Sequence, residues 1–153
     1  VYLDTDVRML MPFGRLLENE SFIGKESDTE LCTAVIGSEA HVEWIQKLLE
    51  SYKVRKFTDK NGNMDLMPNS TYINRFIGNT HDISSPKIYP AEYFSPKSFY
   101  TFSSKITENT YCIHEYDSTW KTGQQKIKDW MVRVLGQIVG ANTIIRMKRM
   151  MKR

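Results

Sequence analysis

Leu31-Cys32-Thr33-Ala34-Val35-Ile36 is an almost unbroken apolar run closed by Gly37, and behind Ser38 the pattern changes to Val42, Ile45, Leu49 and Tyr52 at helical spacing. A strand buried on both faces and followed at once by an amphipathic helix calls for a sheet with a helix packed over it. That is an α/β arrangement. The spacing predicts a helix from about Glu39 to Val54 with Ser38 ahead of it, and Trp44 and Leu48 widen its apolar face. With 153 residues, 41% of them hydrophobic, the chain can bury a core of its own.

The remaining elements fit the same class. Val1 to Val7 reads as a strand, Phe13 to Glu18 as a short helical turn, Phe22 to Gly24 and Thr110 to Ile113 as strands. Asn69 is placed to cap a helix running to Ile77 and ended by Gly78. Asp59-Lys60-Asn61-Gly62-Asn63 is a plain turn, since it lacks the terminal glutamate of a calcium loop. Ile127, Trp130, Met131, Val134, Leu135 and Ile138 form an apolar helical stripe expected to pack on the domain and to end at Gly140. Asn142 or Thr143 then caps a last, basic helix.

Asp4-Thr5-Asp6 carries the first chemical signal. On a strand, residues two apart share a face, so two carboxylates there can converge on one hard cation, while the alternative is a solvated strand end. Ile113-His114-Glu115-Tyr116-Asp117-Ser118-Thr119-Trp120 carries the second: a strand delivers an imidazole, and a short polar segment closed by a tryptophan follows. By itself that pattern also suits a histidine at a strand end and a tryptophan plugging a loop.

Together, Tyr2-Leu3-Asp4-Thr5-Asp6-Val7 and Ile106 to His114, with Thr33 to Ser38 and Ile88 to Ser98 between them, resemble the glycosyltransferases whose sugar-binding region contains a DXD motif. That group includes initiating mannosyltransferases and capsular polysaccharide enzymes. The resemblance runs from Val1 to about Trp120. It implies a C-terminal portion of a GT-A fold over 1–120, a nucleotide-sugar donor, retaining transfer and Mn²⁺ (or Mg²⁺). It further implies Asp6, Asp4 and His114 as metal ligands, with Asp4 also near the donor ribose, and Trp120 and Ser118 in the loop that closes over the donor. Glu115 and Asp117-Ser118 depart from the family pattern. In the family a nucleotide-binding half precedes the Asp-x-Asp strand, so the chain is expected to be an N-terminally truncated fragment. No carboxylate stands out as a nucleophile. A phosphatase whose first motif is also Asp-x-Asp is a competing reading, set back by Arg8 where that class wants Thr or Val. A non-catalytic remnant that binds a membrane is another.

Charge is segregated. From Lys121 onward, nine basic residues accompany one acidic residue, whereas twelve basic and seventeen acidic residues precede them, within a net charge of +3. The helices of 121–153 therefore end in a basic tail suited to an anionic membrane surface, where an oligosaccharide or lipid-linked acceptor would be met. Nucleic acid fits poorly, because the rest of the chain is acidic. Cys32 and Cys112 read as buried, reduced thiols, and with no signal peptide visible the expected location is cytoplasmic, peripheral to the membrane. The Asn19-Glu20-Ser21 and Asn69-Ser70-Thr71 glycosylation patterns are read as chance matches.

Overall fold

A computed structural model describes residues 1–80, 83–117 and 122–151, with side chains described except at positions 148, 149 and 151. The protein is α/β with a mixed sheet. Strands β1 (Tyr2–Leu3), β3 (Ser21–Lys25), β4 (Leu31–Ser38) and β5 (Lys87–Tyr89) form four strands in the order β1-β4-β3-β5. The first three pair antiparallel, and β5 joins β3 in parallel. A separate two-stranded sheet pairs β2 (Val7–Met9) with β6 (Cys112–His114), antiparallel, with Val7 opposite His114.

Neighbouring residues of the large sheet serve opposite faces. Ile23 and Leu31 pack with Val42, Trp44, Leu48 and Ile73, which belong to α1 (Glu43–Val54), its approach and α2 (Asn69–Asn79). Phe22 and Val35 instead enter a cluster with Leu16, Phe94 and Cys112. Leu16 sits on a 3₁₀ turn over Gly14–Glu18, and Phe94 ends the short helix α3 (Ala91–Phe94). The aromatics of 86–102 thus divide: Phe94 is fully buried, and Tyr89 and Tyr93 ring it within about 6 Å. They pin the loop to the sheet.

Local details differ from the sequence reading. The strand expected over 1–7 is broken: residues 4–6 turn, Val7 N–H donates to Asp4 O at 3.2 Å, and the chain passes from one sheet to the other. Gly37 does not end β4. It lies inside the strand because a Cβ there would come within 2.0 Å of the Phe22 ring. Helix α1 starts at Glu43 after Val42, four residues later than expected, and Trp44 and Leu48 are its buried residues while Leu49 is 58% exposed. Pro68, not Asn69, precedes α2, which runs through Gly78 to Asn79. The late strand spans Cys112–His114 instead of 110–113. Asp59 does build a plain turn, accepting hydrogen bonds from Asn61 N and Asn63 N, both at 2.8 Å.

The largest correction concerns α4 (Gly123–Val139) and α5 (Ala141–Met151). Thr122 and Gln125 form a capping box, so α4 begins a turn before its first apolar residue. Its apolar stripe does not pack on the domain: Ile127 is 61% exposed, Trp130 64% and Ile138 75%. The docking side is polar and small. The Arg133 guanidinium lies 3.8 Å over the Phe102 ring, and Gly136 meets the Tyr100 carbonyl so closely that a Cβ would fall 2.1 Å from it. Helix α5 follows Gly140 directly, so neither Asn142 nor Thr143 precedes it.

Candidate metal centre

The turn at Asp4-Thr5-Asp6 forms because its two flanks belong to different sheets. Asp4 N–H still donates to Ala34 O at 2.9 Å in the large sheet, while Val7 already pairs with His114 in the small one. Between those constraints the chain must turn, and the turn brings both carboxylates beside the end of β6. Donor atoms of Asp4, Asp6 and His114 all lie within 4.8 Å of one another. The convergence thus comes from a turn and a cross-strand pair, not from the pleat of one strand.

Each candidate ligand is held from behind. Asp6 Oδ2 accepts a hydrogen bond from Asp117 N at 3.1 Å and lies 3.4 Å from His114 Nε2, and Asp6 O accepts one from Glu115 N at 2.9 Å. Tyr2 OH donates to Asp4 Oδ1 at 2.5 Å, which raises the tyrosine pKa. The Tyr116 ring packs 4.1 Å from the His114 ring, centroid to centroid, and Cys32 Sγ lies 3.8 Å from His114 Nδ1. Burial lowers the histidine pKa, against the pull of Asp6 and Asp4, and favours the neutral imidazole that a metal requires. Burial also pushes the Cys32 thiol up to about 11, so the sulfur beside His114 is protonated and no nucleophile at neutral pH.

Glu115 anchors the rim. It accepts from Lys97 Nζ at 2.7 Å and pairs with Arg8 Nε at 3.0 Å, tying the loop after α3 to β2. Its pKa is lowered, by the Lys97 hydrogen bond first and the Arg8 one second. Sequence reasoning named the three candidate ligands and missed Tyr2, Cys32 and the backbone of Asp117 as their supports, and Lys97 as the partner of Glu115. The Tyr2-x-Asp4 spacing was available as a signal; the other contacts cross the fold. Trp120 and Ser118, expected over the donor, lie outside the described residues.

The donor set fits a divalent cation. Two ligands at about 2.1 Å from one ion sit about 3 to 4 Å apart, so side chains within 4.8 Å need only small rotations to share it. Two carboxylates and one imidazole suit a metal between the hard alkaline earths and the later transition metals. Among the described residues no helix is long and apolar enough to cross a membrane. Comparison with protein-family models, curated proteins and solved structures finds no match to this chain. Fold and site define an α/β protein with a convergent Asp/Asp/His cluster.

Proposed function

We infer that the protein belongs to a metal-dependent glycosyltransferase of GT-A type that takes a nucleotide-sugar and transfers its sugar, with retention, to an oligosaccharide or lipid-linked acceptor of a cell-surface polysaccharide. The observation that carries this reading is the convergence of Asp4, Asp6 and His114, distant in sequence, at the passage from the mixed sheet to the two-stranded one. Mn²⁺ (or Mg²⁺) is the proposed ion. When bound, it supplies positive charge against the diphosphate oxygens of the departing nucleotide.

The chain's own groups set that site up. Asp117 N–H and the Asp6 carboxylate form a fixed pair, Tyr2 holds Asp4, and the neutral His114 leaves a nitrogen lone pair for the ion. The test is calorimetric titration with Mn²⁺, then with UDP or GDP in the presence and absence of the metal. Wild type is expected to bind Mn²⁺, and Asp6→Ala and His114→Ala to lose it; any UDP or GDP bound is expected to require the metal. Metal binding unchanged in both variants, or nucleotide binding indifferent to Mn²⁺, would sink the reading.

A further inference from the structure

The stripe of Ile127, Trp130, Met131, Val134, Leu135 and Ile138 faces solvent because α4 docks through its opposite side, by Arg133 and Gly136. At 3.6 residues per turn, Lys126 falls on one border of this stripe and Lys128 on the other. Asp129, the one acidic residue from Lys121 onward, belongs to the docking side, next to Arg133. On α5, Met147 and Met150 are exposed as well. An apolar face bordered by lysines, with a tryptophan within it and no acidic residue on that side of α4, has the composition of a helix that lies in a lipid interface; Glu26, Asp28 and Glu30 gather instead beside the start of α5.

We propose that the outward face of α4 docks the protein in the plane of an anionic lipid surface. Charge decides between occupants. Two copies placed face to face would set lysine borders against each other with no carboxylate on these faces to pair them, whereas anionic headgroups complement both borders. The apolar residues enter the acyl boundary, and the lysine stems reach back to the headgroups. This goes beyond the catalytic reading and does not depend on the metal centre. It also moves the contact from the terminal basic residues to α4.

The test uses the full chain with vesicles of phosphatidylcholine alone or mixed with phosphatidylglycerol, at low and high salt. Wild type is expected to co-sediment at least tenfold more with the anionic vesicles, to lose much of that in high salt, and to show a blue shift of Trp130 emission that Trp130→Phe lacks. Trp130→Glu combined with Leu135→Glu, both solvent-facing and checked for an unchanged melt, is expected to stay in the supernatant. Asp6→Ala is expected to sediment as wild type. Equal partitioning of wild type and the double variant overturns the proposal. So does a concentration-dependent dimer in solution that the double variant dissolves, since a second copy is then the occupant.

Discussion

Cys32 Sγ sits 3.8 Å from Nδ1 of His114, on the side of the ring away from Asp6, whose Oδ2 faces Nε2 at 3.4 Å. If Nδ1 carries the proton and donates to that sulfur, Nε2 is left able to face an ion. Groups that orient a ligating histidine are worth about 10–100-fold in metal affinity. Cys32→Ala is therefore expected to weaken Mn²⁺ binding by about tenfold, and Cys32→Ser, which keeps an acceptor, by less. Calorimetry on the two variants checks this, and equal affinities would show that the thiol only fills space.

Gly37→Ala is expected to destabilise the protein by about 1–3 kcal/mol, the usual cost of forcing a methyl into a packed interior. The Phe22 ring is 1% exposed and lies where the new Cβ must go, so it cannot swing away. Urea melts of the two proteins give the difference. Gly62→Ala, where the added atom meets nothing but φ is +81°, separates backbone strain from crowding.

Both thiols are held above their ordinary pKa by burial, Cys32 at about 11 and Cys112 at about 12. A raised acid prefers to stay protonated in the folded state, so ionisation favours the unfolded chain. Their contribution is whole below the unfolded value near pH 9 and is lost as pH rises through about 11. Alkylation by iodoacetamide at pH 8 is expected to be slow in buffer and fast in denaturant. Replacing both cysteines with valine is expected to flatten the loss of stability between pH 9 and 11.

Glu115 shows the opposite sign. Lys97 and Arg8 hold its carboxyl below the ordinary value of 4.5, so its support for the fold is present above that pH and is lost as pH falls through the lower, folded value. Glu115→Gln is expected to remove that step from a plot of melting temperature against pH over the acid range. Persistence of the step in the variant would assign it to other carboxylates.

Much of this was legible in the chain. The buried run of β4 and the helical spacing of α1 announced a sheet with a helix over it, and the residue types at Asp4, Asp6 and His114 singled out three side chains that the fold brings together. How those three meet was not legible. The break between β1 and β2 depends on Ala34 and His114, partners far along the chain, and nothing local in Val1 to Val7 records it. For α4 the wheel gave the apolar residues but not which side has a neighbour. Arg133 and Gly136, the docking residues, look like a solvated charge and a weak helix former until Phe102 and Tyr100 are placed. The Thr122 and Gln125 spacing is itself the signal of a helix start.

The three-residue turn at Asp4 to Asp6 is also a seam. On one side lies the large sheet, reached by the Asp4 N–H, and on the other the small sheet, which begins at Val7 and carries His114. A ligand gripping all three side chains rivets the two sheets together, and anything that binds only the folded form adds about 2.7 kcal/mol when present at a hundred times its dissociation constant. For a domain of ordinary marginal stability that is a large share of the whole. Occupancy would then govern how long a chain lasts as well as what it does: an empty copy would open at the seam and meet proteases first, while a filled one would persist.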